Sequence, residues 1–373
     1  MINTLRDKKM LLFFSRDTSL QDWSYGGMLE REVEIYRRLA AELGRVGFLT
    51  YGGSRELKYA ATLDGIALHY NRWNLPNRAY RHAVPVIHGA ALSRYDVFRT
   101  NQIRGSDVAV QAKRLFGKKL IARCGFMLSL NWLDRDGGKE TDAVRLARQW
   151  ESQAFHSADR VVVTTASMKN FVVHQYGVAD SKIRVIPNYV LTDVFKPAKR
   201  RTENKNHICF IGRLEVVKDP FLFLEAVKGL NVELDIIGDG NLRPAMEAKV
   251  REYGLSANFL GTIPNSDLPS YFNSAAAVVF TSRYEGHRKA MLEAMACGLP
   301  VIGVMDEKGD AMDTQGWDDR FIIPITTLQQ RFKGRKDVER LRVEAENLDM
   351  VEIAKEDSKR ILGRIHRNSG EEY

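Results

Sequence analysis

The sequence predicts an α/β protein built from two doubly wound domains that face each other across a cleft. Three observations carry this. The chain has 373 residues, more than one hydrophobic core usually organises. Its first half alternates short apolar runs with amphipathic segments, the pattern of a parallel sheet covered by helices on both faces. The alternation breaks at a charged, aperiodic stretch, Lys196–Lys205, and then begins again. In sheets of this kind ligands bind beyond the carboxyl ends of the strands, so the cleft between two of them is where a ligand is expected.

In chain order, strands are expected at Met10–Phe14, Val46–Thr50, Val84–Ile87, Val97–Arg99, Leu120–Arg123, Val161–Thr164 and Ile183–Ile186. Between them, Leu29, Val33, Tyr36, Ala40 and Leu43 fall on one helical stripe. A second helix runs from Ser106, an N-cap residue type, to Gly117, and a third carries Ala143, Ala147, Trp150 and Ala154. After the linker, strands are expected at Ile208–Ile211, Val232–Ile237, Asn258–Leu260, Val278–Thr281, Val301–Val304 and Phe321–Ile323. Helices are expected at Pro220–Lys228, Leu242–Tyr253, Leu268–Ser274 and Lys289–Cys297, and a charged helical segment over Val338–Arg367.

Composition narrows the class. Apolar residues make up 44% and charged residues 28%, as in an ordinary globular protein. No apolar run approaches the ~18 residues of a membrane-spanning helix. The Met10–Phe14 run is too short for the core of a secretion signal. Cys124, Cys209 and Cys297 form neither a disulfide framework nor a metal cluster, which fits a reducing, cytoplasmic setting. The net charge of +9 suits an anionic partner. Nucleic acid is disfavoured, because no basic helix carries interleaved aromatics. A zinc site is unsupported, since the eight histidines show no paired spacing.

Several segments hold residues that can do chemistry. Ser282–Gly298, SRYEGHRKAMLEAMACG, reads as loop, helix and glycine stop after a buried strand. Glu285 and Glu293 stand eight residues apart in it, near a helix start whose free N–H groups favour an anion. Gly212-Arg213-Leu214-Glu215-Val216-Val217-Lys218 follows a strand, with a glycine that lets a ligand approach and two cations suited to a diphosphate. Gly238-Asp239-Gly240 reads as a tight strand-to-helix turn, because Arg243 breaks the dinucleotide fingerprint. Gly26-Gly27 precedes the first long helix and can admit a phosphate or simply turn the chain. His88, beside Gly89, sits at an expected strand end. Asp134-Arg135-Asp136 is read as a chance DxD in a glycine-rich loop. Val108–Arg123 mixes Lys113, Arg114, Lys118 and Lys119 with apolar residues, a pattern that serves an anionic membrane surface or a core-packed helix equally.

Taken in order, five segments resemble the retaining glycosyltransferases of family 4 (glycosyl transferases group 1), which have the GT-B fold of two Rossmann-like domains. They are Gly212-Arg213-Leu214 with Lys218, Ile237-Gly238-Asp239-Gly240, the stretch ANFLGTIP ending at Pro264, EGHRKAMLEAMACGLPVIG, and IRVIPNYVLTDVFKP leading into the linker. The resemblance implies an N-terminal acceptor-binding domain over 1–195, rejoined by a C-terminal helix over 352–373, and a donor-binding domain over 196–351. It implies that Arg213 and Lys218 bind the donor diphosphate, that Glu285 contacts the transferred sugar and that Glu293 holds the ribose. Gly212, Ile263, Gly286, His287, Ala290, Met291 and Leu292 complete the expected donor site, with the base near Thr262-Ile263-Pro264. Gly26, Gly27, Arg123, Cys124 and Gly125 are expected on the opposite, diphosphate and acceptor side. No metal or other cofactor is implied, because cations and the helix dipole neutralise the leaving group.

The implied activity is transfer of a sugar from a nucleotide-diphosphate sugar to a saccharide or lipid-linked acceptor, with retention, in surface polysaccharide or lipopolysaccharide synthesis at the inner face of the cytoplasmic membrane. The alternative is a non-catalytic GT-B scaffold that binds a nucleotide or a protein partner. The sequence departs from the family's pattern at three places, one of them Asn188-Tyr189, where the linker start is expected to read Asn-Gly. Arg123-Cys124-Gly125 stands where many members have His-Gly, and after Val304 the expected glycine-rich loop is not recognisable, with Glu307 or Asp310 the acidic residues nearest to it.

Overall fold

The computed structural model describes residues 5–198, 206–282, 288–304 and 321–322, and these hold two sheets. The first is built from β1 (Lys9–Phe13), β2 (Arg45–Leu49), β3 (Ile66–His69), β4 (Val97–Thr100), β5 (Lys119–Cys124), β6 (Arg160–Val163) and β7 (Ile183–Val185). Its order is β3-β2-β1-β4-β5-β6-β7, and every pair is parallel. The second contains β8 (His207–Ile211), β9 (Glu233–Ile237), β10 (Ser256–Gly261), β11 (Ala277–Phe280), β12 (Val301–Val304) and β13 (Phe321–Ile322). Its order is β10-β9-β8-β11-β12-β13, parallel except for the antiparallel β12–β13 pair. Each sheet therefore reverses strand order once, at β1/β4 and at β8/β11. These switch points open crevices at the carboxyl ends of the strands.

The strands are apolar on both faces because helices cover both. In β1, Leu11 and Phe13 enter one core cluster, while Met10 and Leu12 enter the other. In β8, Cys209 and Phe210 divide in the same way. That is the period-2 alternation of a strand buried on two sides. The stripe expected from Leu29 to Leu43 is the Leu29–Glu42 helix, with Leu29, Val33 and Tyr36 buried against the first sheet.

Four local expectations are corrected. Val84–Ile87 is not a strand but the last turn of the Asn77–Ile87 helix. Tyr80 and Val84 are buried at helical spacing while Val86 is 87% exposed, so the run is apolar without being a buried strand. His88 therefore caps that helix rather than ending a strand, and its Nε2 lies 2.9 Å from the Tyr80 hydroxyl. β3 has no counterpart among the expected strands, because only Ile66 of this short edge strand is buried. Asp134 lies in the Leu128–Arg135 helix rather than in a loop, and Asp136 accepts hydrogen bonds from Arg135 Nε and Thr141 Oγ1. The helix expected over Val338–Arg367, the C-terminal helix over 352–373, and Glu307 and Asp310 lie outside the described residues. So do Glu285, Gly286 and His287.

Candidate functional site

The site begins at the glycine pair after the first strand. The Leu20–Tyr25 helix opens on a reciprocal cap, in which Ser19 Oγ accepts from Asp22 N and the Asp22 carboxylate accepts from Ser19 N. Gly26 ends that helix, and Gly27 turns the chain with φ of 66° into the Leu29–Glu42 helix. A Cβ on Gly27 would lie 2.4 Å from the Ile263 carbonyl oxygen. The Gly27 carbonyl accepts from Asn265 N at 2.9 Å. Only glycine lets the two segments touch in this way.

On the second sheet, the loops after β8 and β9 lock together. Leu214 N donates to the Asp239 carbonyl at 3.0 Å, and a Cβ on Gly238, whose φ is 129°, would fall 2.0 Å from the Gly212 carbonyl oxygen. The Lys218 side chain runs past Gly212, with its Cδ 3.5 Å from where a Cβ would stand. Thr281 Oγ1, just beyond β11, donates to the carbonyls of Lys218 and Asp219. Arg213 is 68% exposed and pairs with Glu215 at 3.1 Å. The Gly238-Asp239-Gly240 turn thus supports the Gly212–Lys218 loop, as a strand-to-helix turn should.

The Lys289–Ala296 helix supplies the third wall. Glu293 is buried. Its Oε1 accepts from Arg31 Nη1 at 3.2 Å and from Asn265 Nδ2 at 3.1 Å, while its Oε2 is buried with no hydrogen-bond partner. Arg31 belongs to the Leu29–Glu42 helix, as does Glu32, whose Oε1 receives Arg31 Nε at 3.2 Å and also Lys289 Nζ. Tyr189 donates its hydroxyl hydrogen to the Arg31 carbonyl. Burial alone would raise the Glu32 pKa, but Lys289 and Arg31 bring it down to about 2, so it is a carboxylate at neutral pH. Burial disfavours charge on Lys289, which Glu32 offsets only in part, and its pKa is lowered. Burial acts against Arg31 too, yet Glu32 and Glu293 outweigh it and its pKa is raised.

Two cavities meet at this network. The larger, about 350 Å³, lies over the carboxyl ends of β8, β9 and β11, between Gly26-Gly27 and Gly212-Arg213-Lys218. Thr262, Ile263, Asn265, Ala290 and Glu293 also line it. The second, about 310 Å³, lies beyond β4 and β5 and takes in Gln102, Arg123, Gly125 and Asn188. Met28, Arg31, Arg288, Lys289 and Ala290 line both. In β5, Leu120, Ala122 and Cys124 alternate with Ile121 and Arg123. Arg123 therefore lines the cavity while Cys124 is buried in the core, its thiol donating to the Phe126 carbonyl at 3.0 Å and its pKa pushed up first by burial. Arg123 Nη1 donates to the Asn101 carbonyl and Nη2 to Asn188 Oδ1.

The residues expected from the sequence thus gather in part. Gly26, Gly27, Gly212, Arg213, Lys218, Ile263, Ala290 and Glu293 share one cavity, and Arg123 and Gly125 line its neighbour. Met291 packs into the second sheet's core and Leu292 is half-buried; neither lines either of these two cavities. Arg31, Glu32, Asn265, Arg288 and Lys289 escaped sequence reasoning. Arg31 and Glu32 sit on the polar side of a helix read only for its apolar stripe. Asn265 follows the Thr262-Ile263-Pro264 segment by one residue. Among the described residues no group of His, Cys, Asp and Glu is arranged to hold a metal ion, and no helix is long and apolar enough to cross a membrane.

Two sheets of this order with a ligand-sized cavity at their switch points define the GT-B class. The model for Glycosyltransferase Family 4 matches residues 25–194, and that for Glycosyl transferases group 1 matches residues 192–312. The chain belongs to the family 4, group 1 glycosyltransferases. It is 26% identical over 228 residues to a D-inositol 3-phosphate glycosyltransferase of Paenarthrobacter aurescens, covering 56% of this chain and 56% of that relative's length. Among solved structures, Anabaena HepE in complex with UDP-glucose aligns with a TM-score of 0.61 at 19% identity, covering 79% of this chain and 80% of that one. The apo form of the lipopolysaccharide outer core galactosyltransferase WaaB aligns with a TM-score of 0.54 at 17% identity, covering 79% and 80%.

Proposed function

We propose that this protein transfers a sugar from a nucleotide-diphosphate sugar to a saccharide or lipid-linked acceptor with retention of configuration. The observation that carries the proposal is the larger cavity, where a glycine-flanked opening, two cations after β8 and a helix start converge on one buried carboxylate with an unpartnered oxygen. The free Glu293 Oε2 suits a ribose hydroxyl, because a buried acceptor without a donor costs about 1–3 kcal/mol and a ligand hydroxyl relieves it. Arg213, Lys218 and the N–H groups at the start of the Lys289–Ala296 helix suit the diphosphate, on which negative charge grows as the bond to the sugar breaks. Uridine is the base to test first, since the aligned HepE structure holds UDP-glucose.

In the reaction the bond between the sugar C1 and the β-phosphate oxygen breaks, and the acceptor oxygen bonds to C1 from the same face. The departing phosphate takes the acceptor proton. Cations and helix N–H groups neutralise the leaving group, so no metal is required. Glu285, outside the described residues, is retained as the sugar contact. WaaB acts on lipopolysaccharide outer core, which supports a role for this chain in surface polysaccharide synthesis. Peripheral contact with an anionic membrane is supported by Val86 and Leu115, which are 87% and 62% exposed on helices that pack together, with Arg114 and Lys119 also exposed. Val108, Val110 and Leu120 of the same stretch serve the core instead. The test is turnover of nucleotide-sugars by Arg213→Ala and Lys218→Ala. Each variant is expected to lose ~10²-fold in kcat with its fold intact. Unchanged turnover in both sinks the site assignment, and nucleotide binding without transfer across a donor and acceptor panel favours the non-catalytic scaffold.

A further inference from the structure

The second cavity carries an excess of positive charge that the first does not absorb. Arg31, Arg123, Arg288 and Lys289 line it, against the single carboxylate of Glu32. Lys289 and Arg31 spend their charge on Glu32 and Glu293. Arg123 is different. Its two hydrogen-bonded nitrogens meet a backbone carbonyl and an amide oxygen, both neutral. It is partly buried, with Arg99 as a like-charged neighbour, and these two effects lower its pKa against the pull of Tyr36 and Glu32. A guanidinium that is partly desolvated, faces a cavity, hydrogen-bonds only neutral acceptors and shares its one nearby carboxylate, Glu32, with Arg31 and Lys289 is poised for an oxyanion, which its planar fork matches with two parallel bonds. The side chains of Gln102 and Asn188 add amide groups to the same wall.

The donor's diphosphate has its own cations elsewhere. Arg213 and Lys218 line only the larger cavity, and Arg123 lines only the second. We infer that Arg123 anchors a second anion, a carboxylate or phosphate carried by the transferred sugar or by the acceptor, distinct from the diphosphate of the donor. The inference rests on the glycosyltransferase reading, which makes the cavity next to the diphosphate the place where sugar and acceptor meet. Arg123 enters as a specificity residue. The ion-paired Arg31, Glu32 and Lys289 fix the wall opposite.

The experiment uses the full chain and its Arg123→Gln and Arg123→Lys variants, with binding measured calorimetrically. One arm compares UDP-glucuronate with UDP-glucose, which differ by a sugar carboxylate. The other titrates UDP-saturated protein with glycerol 3-phosphate and with glycerol. In the native chain one anionic probe is expected to bind at least ~10-fold more tightly than its neutral counterpart. The arm in which this happens identifies the source of the anion. Arg123→Gln is expected to abolish the preference and Arg123→Lys to restore part of it, both with the affinity for UDP unchanged. Equal binding of charged and neutral probes in both arms overturns the inference. A ~10-fold loss of UDP affinity in Arg123→Gln also overturns it, since Arg123 then serves the diphosphate. If the native chain binds no nucleoside diphosphate and no nucleotide-sugar, whatever the base, the glycosyltransferase reading fails and this inference falls with it.

Discussion

Replacing Glu293 by glutamine separates the contact it makes, with Arg31, from the one proposed for it, an acceptor oxygen for a ligand hydroxyl. The variant keeps the shape but loses the charge. On the protein side, the 3.2 Å bond from Arg31 Nη1 weakens, while Arg31 keeps Glu32 at 3.2 Å. The cost therefore falls below the ~3–5 kcal/mol of a buried ion stripped of every partner, and near the ~1.5–3 kcal/mol of one charged hydrogen bond. On the ligand side, a hydroxyl bound by a charged acceptor loses a similar ~1.5–3 kcal/mol, which is about 10- to 150-fold in affinity. Calorimetry with UDP and with 2′,3′-dideoxy-UDP reads the second effect alone. Glu293→Gln is expected to weaken UDP by that factor and to leave the dideoxy nucleotide, already weak, nearly unchanged. An equal loss for both nucleotides, or none for either, refutes the placement of the ribose at Oε2.

Gly27→Ala forces a side chain into the left-handed region, at about 1–2 kcal/mol, and sets its Cβ 2.4 Å from the Ile263 carbonyl oxygen. A lower thermal midpoint and at least ~10-fold weaker nucleotide binding are expected, checked by thermal shift with and without UDP. The paired histidines of the first sheet predict acid sensitivity. His69 and His88 have ring centroids 5.9 Å apart and bond to the hydroxyls of Tyr95 and Tyr80, and burial, first of all, lowers both pKa values from 6.5 to about 4. Between those values the unfolded chain binds the protons and the folded one does not, so stability is full above pH ~6.5 and is lost as pH falls toward ~4. The slope approaches about 1.4 kcal/mol per pH unit for each ring. Urea midpoints across that window are expected to show it, and His69→Gln with His88→Gln to flatten it.

Much of the architecture was legible because buried parallel strands announce themselves. β8 and β11 are apolar but for His207, β9 carries Leu234, Ile236 and Ile237, and the glycines after β8 and β9 mark where the backbone is closely approached. Arg213, Lys218 and Glu293, which line one cavity, could be singled out for the same reason, since each follows a readable strand or lies in a helix with clear ends. The failures have physical causes. Val84–Ile87 is apolar in sequence but splits into Val84 inside and Val86 outside, which a four-residue window cannot separate. Cys124 and Arg123 are neighbours whose side chains leave opposite faces of β5, so a motif that includes both mixes a core residue with a site residue. Arg31 and Glu32 were invisible because their partners, Glu293 and Lys289, are more than 250 positions away. Nothing local marks a side chain whose role is set by the other sheet.

The segment Gly27–Glu32 carries the contacts just described between the first sheet's helices and the second sheet's site: the Gly27 carbonyl to Asn265, Arg31 to Glu293, and Glu32 to Lys289. Two of these three are ionic and partly shielded. Glu293 answers to Arg31 and Asn265 through one oxygen and has no partner on the other, so the ribose hydroxyl proposed for that oxygen and the start of the Leu29–Glu42 helix would meet at one carboxylate. Arg31, some ninety residues before Arg123 in the chain, lines the second cavity together with it. One turn of helix in the first half of the chain thus supplies wall to both cavities, so a substitution at Arg31 is felt in both.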